Sequence, residues 1–104
     1  MTNAPRVFRA LADPTRRQIL QELKAGERAA GEIVELFDIS APSISRHLTI
    51  LKSAELVAER RDGNRILYRL VPERLSSCLG DFLAKVCPTE IGQRKRIETR
   101  RKKP

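Results

Sequence analysis

The chain has 104 residues, enough for one small domain with a modest core. Charged residues make up 33% and aromatic residues 4%, so we expect a mainly helical protein with an aliphatic core. The formal net charge of +8 favours a polyanionic partner, nucleic acid before an anionic membrane surface. No apolar run approaches the roughly 20 residues that span a bilayer, and the N-terminus lacks an apolar signal core. We therefore expect a cytoplasmic protein without membrane insertion.

The positive charge is concentrated at the C-terminal end. Residues 88–104 contain seven Lys/Arg and two Glu, which gives this segment a net charge of +5. Residues 1–87 contain 14 Lys/Arg and 11 acidic residues, a net charge of only +3. We therefore predict a folded domain over 1–87 and a basic, disordered tail over 88–104. A nucleic-acid interface in the domain must be argued from the placement of its residues.

Three short helices are predicted in the first part of the domain. An apolar cluster over residues 7–11 favours the first helix. Asp13 can cap the second helix and Pro14 suits its first position, while Gly26 ends it. The third helix, over about 30–37, has no capping side chain before it. Its predicted inward positions are Ile33, Leu36 and Phe37.

The fourth helix has two different faces. Ser40 is placed to cap it, and Ile44, Leu48 and Leu51 recur at a helical spacing that faces a core. The other side offers short or forked hydrogen-bonding side chains and no acid: Ser43, Ser45, Arg46 and Thr49. Taken alone, the segment fits an ordinary amphipathic surface helix as well as a helix that enters a DNA major groove.

A β-hairpin and a last helix follow. Two β-type runs flank Asp62-Gly63-Asn64, which is a strong hairpin signal, and the second run alternates with Ile66, Tyr68 and Leu70 on one face. The hairpin tip carries four hydrogen-bond donors: Arg60, Arg61, Asn64 and Arg65. A fifth helix is predicted from Pro72 to just before Pro88. Its large apolar residues are Leu75, Leu79, Phe82, Leu83 and Val86.

The predicted order is thus α-α-α-α-β-β-α, a mainly α fold with a β-hairpin. The third and fourth helices are separated by a three-residue turn, the spacing of a helix-turn-helix. A hairpin directly after the second of these helices fits a wing. The fourth helix can then enter a major groove while the hairpin reaches the neighbouring backbone or minor groove. The sequence therefore predicts a winged helix-turn-helix.

Three segments resemble the ArsR-type winged helix-turn-helix repressors, and within them the SdpR-like autorepressor branch. They are VFRALADPTRRQIL (residues 7–20), APSISRHL (41–48) and LKSAELV (51–57). The resemblance covers about residues 6–87. It implies a homodimer formed through the first and last helices that represses transcription on a near-palindromic operator. On two-fold symmetric DNA the half-sites would lie roughly 34 Å apart.

The same resemblance implies which residues read bases. Ser43, Ser45, Arg46 and Thr49 match the family's base-reading surface. Arg46 is the best candidate for a guanine contact, because its fork can address O6 and N7 together. His47, the single histidine, lies at the edge of the buried stripe, and both a structural role and a DNA contact stay open.

Other matching positions imply contacts with the DNA backbone. Arg61, Asn64 and Arg65 match the wing and are expected on phosphate or minor-groove edges. Arg16, near the start of the second helix, is expected either to position a phosphate or to be a solvated surface arginine.

Departures from the family pattern argue against a metal or any other cofactor. The positions aligned with the family's Cys-x-Cys on the third helix are Ala29 and Gly31, and the last helix has no His. Asp81 alone does not make a zinc site. Cys78 and Cys87 are nine residues apart, on opposite faces of one predicted helix, so an intrachain disulfide is not expected.

Several functions remain in competition. The leading prediction is a sequence-specific dimeric repressor that binds double-stranded DNA. Alternatives are a non-specific nucleic-acid-binding protein driven by the basic tail, a redox-responsive regulator that uses Cys78 and Cys87, and a dimerising adaptor without DNA binding. An enzyme is not expected, since no nucleophile–base pair, phosphate loop or metal constellation is present. The sequence does not reveal a protein or small-molecule effector.

Overall fold

The computed structural model describes residues 4–88, so the prediction of a disordered tail lies outside the described residues. In chain order the elements are α1 Ala4–Leu11, α2 Pro14–Leu23, β1 Arg28–Ala29, α3 Ala30–Leu36, α4 Ala41–Ser53, β2 Val57–Asp62, β3 Arg65–Leu70 and α5 Pro72–Val86. The predicted winged helix-turn-helix is confirmed. Strand β1 was not predicted.

Local capping explains where the helices begin. The Asp13 carboxylate accepts a hydrogen bond from the Arg16 backbone N–H at 3.0 Å, and Ser40 Oγ accepts one from the Ser43 N–H at 3.3 Å. Helix α3 lacks such a cap, as expected. The Glu32 side chain instead accepts a hydrogen bond from the Ala29 N–H at 2.7 Å, which satisfies a donor at the same end.

Helix α4 ends in a tight reversal that leads directly into β2. Glu55 adopts a left-handed backbone conformation with a φ of 63°. The Glu55 N–H donates to the Lys52 carbonyl at 2.9 Å, and the Leu56 N–H donates to the Leu51 carbonyl at 3.0 Å. This is the pair of hydrogen bonds of a Schellman motif, and it buries Leu51 and Leu56 together at the helix end.

The sheet is antiparallel, with strand order β1-β3-β2. The register of β2 and β3 runs from Val57 opposite Leu70 to Asp62 opposite Arg65, so the turn contains two residues. Its first residue, Gly63, has a φ of +65°, as a type II′ turn requires. Strand β1 adds Ala29 opposite Leu67. Two residues carry no readable alternation, which is why the sequence did not predict this strand.

One core joins the first four helices to the base of the hairpin. Its residues, all at most 7% exposed, are Val7, Ala10, Ile19, Leu20, Leu23, Ile33, Ile44, Leu48, Leu51, Ala54, Leu56 and Val57. Tyr68 and Leu70, two of the three residues predicted to share a face of β3, pack against it, and Leu67 on the other face is the most buried residue of the strand. The prediction that Leu36 faces inward is wrong, because 46% of its surface is exposed beside the turn.

Helix α5 lies outside this core. None of its residues is buried, although Leu75 and Cys78 pack against the core's edge. Phe82, Leu83 and Val86 are 44%, 47% and 61% exposed. The ring of Phe82 meets that of Phe8, on α1, edge to face with centroids 5.1 Å apart. Helices α1 and α5 therefore present a continuous apolar face, which we call the α1/α5 face and define by Phe8, Phe82, Leu83 and Val86.

Candidate nucleic-acid interface

The outer face of α4 carries the side chains predicted to read bases. Burial of Ile44, Leu48 and Leu51 fixes the rotation of the helix about its axis, so that the opposite side must face outward. The residues of that side are exposed except Ser43, which is half-buried: Ser43, Ser45, Arg46 and Thr49.

Two of these side chains already have a partner within the protein. The Thr49 hydroxyl donates to the Ser45 carbonyl at 3.0 Å, and Ser43 Oγ accepts from Ser40 Oγ at 3.1 Å. A hydroxyl that donates in this way still has lone pairs to offer an incoming donor. Within residues 4–88 the Arg46 guanidinium makes no hydrogen bond or ion pair, so all of its donors are available.

The wing offers a second group of donors. Arg61, Asn64 and Arg65 are exposed, and in the described part of the chain their side chains make no hydrogen bond or ion pair. Asn64 follows Gly63 in the two-residue turn, Arg65 begins β3 directly after it, and Arg61 lies on β2 one residue pair further from the turn. Because guanidinium groups bind phosphate by two parallel hydrogen bonds, an uncommitted pair of arginines here suits a DNA backbone.

Arg60, predicted as a fourth donor at the tip, is committed elsewhere. Its Nε and Nη2 donate to the two carboxylate oxygens of Glu27 at 2.8 and 3.0 Å. These hydrogen bonds, with the charge of the guanidinium, hold the pKa of Glu27 below its usual range and raise that of Arg60. Glu27 lies 33 residues before Arg60, just ahead of β1, so nothing local in the sequence pointed to the pair.

A second set of polar contacts ties the wing to the end of α4. Lys52 Nζ donates to Glu59 Oε2 at 3.0 Å. This hydrogen bond is the main reason why the pKa of Glu59 is lowered. Partial burial is the main reason why the pKa of Tyr68 is raised, and the negative charge of Glu59 opposite it adds to this. These contacts hold the wing beside the C-terminal end of α4.

Arg16 lies behind the exposed face of α4 and is engaged inside the protein. Its Nε donates to the Ala10 carbonyl at 2.8 Å and its Nη2 to the Arg9 carbonyl at 3.0 Å. Its Nη1 lies 3.2 Å from His47 Nδ1. Both Arg16 and His47 are half-buried. The structure thus brings Arg16 and His47, two of the residues predicted to lie at the DNA interface, into contact with each other.

Asp13 completes this cluster. Its Oδ2 lies 3.9 Å from His47 Nδ1 while it caps α2. Burial acts to raise the pKa of Asp13, but the hydrogen bond from the Arg16 N–H and the nearby positive charge of the Arg16 guanidinium outweigh it and lower the pKa. The carboxylate is therefore ionised at neutral pH.

Three further findings concern possibilities that the sequence analysis weighed. Among residues 4–88, no group of three or more His, Cys, Asp or Glu is arranged to hold a metal ion. Cys78 and Cys87 are half-buried free thiols. None of the helices in this range combines the length and apolar character needed to cross a membrane.

The fold and this surface together define a winged helix-turn-helix DNA-binding protein. An outward helix with free donors follows a short helix and a turn, and a hairpin with further free donors follows it directly. This is the arrangement in which a helix reads a major groove and an adjacent element holds the backbone.

Comparison with known proteins narrows the class. Residues 13–59 match the family described as bacterial regulatory protein, arsR family. Over 64 residues (62% of this chain and 71% of the relative) the chain is 56% identical to the transcriptional repressor SdpR of Bacillus subtilis (strain 168). It is 42% identical over 77 residues (74% of this chain and 72% of the relative) to the HTH-type transcriptional regulator Rv2034 of Mycobacterium tuberculosis.

Solved structures agree with the sequence comparison. An ArsR-like transcriptional regulator from Rhodococcus sp. RHA1 matches with a TM-score of 0.73 and 28% identity, over 94% of this chain and 91% of that one. The chain belongs to the ArsR family of bacterial regulatory proteins, and it is a DNA-binding transcriptional repressor and not an enzyme.

Proposed function

We propose that the protein acts as a homodimer, through α1 and α5, on a near-palindromic operator that it recognises by sequence. The observation that carries the dimer is the α1/α5 face. Phe82, Leu83 and Val86 are each more than two-fifths exposed on a helix that has no buried residue. An apolar face of this kind on a small domain marks an interface, and a second copy of the chain offers the same face.

Base recognition is assigned to the outer face of α4. Arg46 supplies a forked donor that suits guanine O6 and N7, and the Ser45 and Thr49 hydroxyls beside it can donate or accept. Ser43 lies one turn earlier, near the capped N-terminus of the helix. The helix dipole there favours an approaching phosphate.

Backbone contacts are assigned to the wing. Arg61, Asn64 and Arg65 would contact phosphates or minor-groove edges next to the major groove that α4 enters. The pairing of Arg60 with Glu27 and of Lys52 with Glu59 supports this assignment, because both ion pairs hold the middle of β2 and leave the end of the hairpin free.

Footprinting on the DNA upstream of the protein's own gene tests the proposal. In the presence of excess unrelated DNA, we expect one protected region with two-fold related half-sites roughly 34 Å apart. Equal binding to this DNA and to a shuffled sequence of the same composition would contradict sequence-specific recognition. Repeating the titration with zinc, with an oxidant and with a reductant asks whether a metal or the two thiols regulate the repressor.

General nucleic-acid binding through the basic tail is the second candidate, and the charge of +5 on residues 88–104 favours it. Deletion of 88–104 separates the two. A specific repressor should lose affinity for all DNA in similar proportion and keep its preference for the operator. A protein that binds mainly through the tail should lose most of its binding, with no preference in either form. Binding to chromosomal DNA in the cytoplasm accompanies either proposal.

A further inference from the structure

Arg16 joins the end of α1 to the middle of α4. Three of its nitrogens have partners: the Ala10 carbonyl at 2.8 Å, the Arg9 carbonyl at 3.0 Å and His47 Nδ1 at 3.2 Å. The two carbonyls are among the last four of α1, where backbone acceptors lack partners within the helix, and the Arg9 carbonyl also accepts from the Ala12 N–H at 3.2 Å. The side chain therefore caps one helix and contacts another at the same time.

The Arg16 contact fixes the tautomer of His47. A guanidinium has only donors, so His47 Nδ1 must accept the hydrogen bond with its lone pair. The ring proton of the neutral imidazole is then on Nε2. The planar guanidinium of Arg16, on α2, thus holds the Nδ1 edge of the only imidazole in the chain.

The two helices joined in this way carry the two halves of the proposed activity. Helix α1 carries Phe8, which packs on Phe82 in the α1/α5 face. Helix α4 carries Arg46, the residue immediately before His47. The orientation of α4 relative to α1 therefore determines where each recognition helix lies relative to the axis of a dimer.

We propose that Arg16 is a positioning residue that, through its hydrogen bond to His47, sets the half-site spacing that the dimer accepts. This inference rests on the proposed function, namely a homodimer that reads an operator. It assigns to Arg16 a role that differs from a direct phosphate contact. Two features disfavour a phosphate at this guanidinium. Three of its nitrogens already have partners, and the carboxylate of Asp13, which caps α2, lies 3.9 Å from His47 Nδ1.

The first test replaces Arg16 by lysine and measures operator affinity against salt concentration. Arg16→Lys keeps the positive charge but cannot reach both carbonyls and His47 together. We expect operator binding to weaken about tenfold with an unchanged salt slope. A phosphate contact predicts that Arg16→Lys keeps most of the affinity, while Arg16→Gln reduces the slope by about one contact. That second pattern would overturn the proposal.

Arg17 provides a matched control. Its Nη1 donates to the Leu11 carbonyl at 2.6 Å, so it caps the same end of α1, yet its side chain has no hydrogen bond to α4 within residues 4–88. Arg17→Lys should bind the operator within about twofold of the wild type, because surface substitutions away from a shared network have small effects. An equal loss in both variants would mean that capping of α1 alone matters.

The decisive measurement compares the natural operator with one that has a base pair inserted between its half-sites. We expect the wild-type dimer to prefer the natural spacing by about tenfold or more, since its half-site geometry is fixed. In Arg16→Lys this preference should fall to about threefold or less. A variant that discriminates between the two operators as sharply as the wild type would overturn the proposal, whatever its affinity.

His47→Phe tests the same link from the other side and leaves the contacts of Arg16 with α1 in place. The His47→Phe protein should also lose the preference for the natural half-site spacing. The double variant Arg16→Lys/His47→Phe should then show the same spacing preference as His47→Phe alone. Nitrogen-15 NMR of the single imidazole should show an unprotonated Nδ1 in the wild type. A protonated Nδ1, or wild-type spacing preference in His47→Phe, would contradict the link even if Arg16→Lys does not fold. A wild-type protein without operator preference would instead remove the proposed function.

Discussion

At the scale of single residues, what distinguishes the arginines proposed to contact DNA is the absence of hydrogen-bond and ion-pair partners within residues 4–88. Arg46, Arg61 and Arg65 have no hydrogen bond or ion pair within residues 4–88, whereas Arg16 and Arg60 are each held by two or more hydrogen bonds. An arginine that is already paired must break those contacts before it can bind DNA. Arginines without partners are therefore tested by their contribution to DNA affinity, and the paired Arg16 by its effect on half-site spacing.

Arg46→Ala tests base reading. Removing a bidentate guanine contact should cost about 1–3 kcal/mol of operator binding and relax the preference at one base position in each half-site. Titration of operator variants with each base substituted in turn measures both effects. Unchanged affinity together with unchanged preference would remove Arg46 from the reading surface.

Arg65→Ala tests the wing. Loss of a phosphate contact should weaken binding to all sequences alike and make the slope of log affinity against log salt shallower by about one contact. Affinities for operator and shuffled DNA at several salt concentrations provide the measurement. A change in base preference at constant slope would assign Arg65 to base recognition instead.

Whether the sequence predicts the role of a residue depends on how far along the chain its contacts lie. The outer face of α4 follows from a spacing of four and three residues between Ile44, Leu48 and Leu51, so it was readable. The contact between Arg16 and His47 joins residues 31 positions apart, and only the packing of α2 against α4 creates it. Their roles could therefore be weighed from the sequence but not decided.

At the scale of elements, local signals located the helix starts and missed what tertiary contacts create. Asp13 and Ser40 act through the next three residues, so the beginnings of α2 and α4 were predictable. Strand β1 exists because β3 pairs with it, and the Arg60–Glu27 pair exists because the sheet brings the two residues together. Neither leaves a pattern within a short window of sequence.

The end of α4 offers a test of backbone strain. Glu55 holds a φ of 63°, which costs a residue with a Cβ about 1 kcal/mol relative to glycine. Its carboxylate also pairs with Arg74, an exposed contact of small value. We expect Glu55→Gly to raise the free energy of unfolding by about 0.5–1 kcal/mol in urea denaturation.

Glu55→Ala is the control, because it removes the same ion pair without relieving the backbone. It should be less stable than Glu55→Gly by about 1 kcal/mol. Equal stabilities of the two variants would show that the left-handed conformation carries no cost at this position.

The Glu27–Arg60 pair predicts a pH dependence. The hydrogen bonds from Arg60 lower the pKa of Glu27 in the folded state below the ordinary value of 4.5. The pair therefore stabilises the fold above pH 4.5, and this contribution is lost as the pH falls through the lowered pKa. The Tm of the wild type should exceed that of Glu27→Gln at pH 7, and the difference should vanish at acid pH. A difference that grows on acidification would contradict this sign.

At the scale of the whole molecule, the α1/α5 face is the feature that a single chain leaves unexplained. Phe82, Leu83 and Val86 remain exposed on a helix outside the core, although the domain is small and its core modest. Burying them against a second copy would contribute stability to both partners. The free energy of unfolding would then depend in part on dimerisation.

Leu83→Asp tests this directly. A charge in the centre of the apolar face should convert the dimer to a monomer at micromolar concentration and abolish tight operator binding. Sedimentation equilibrium measures the change. Leu36→Asp is the control, since Leu36 is exposed to a similar degree, 46% against 47%, but lies on α3. Dimerisation that persists in Leu83→Asp, or is lost equally in Leu36→Asp, would place the interface elsewhere.

Strand β3 has a consequence for how the DNA-binding unit opens. It pairs at Leu67 with Ala29, the residue before α3, and at Leu70 with Val57, just beyond the reversal that ends α4. Both ends of the helix-turn-helix are thus hydrogen-bonded to the same strand, and the unit forms a closed ring. The ring cannot open at one end without disturbing the hairpin, so helix-turn-helix and wing should exchange their amide hydrogens as one cooperative unit.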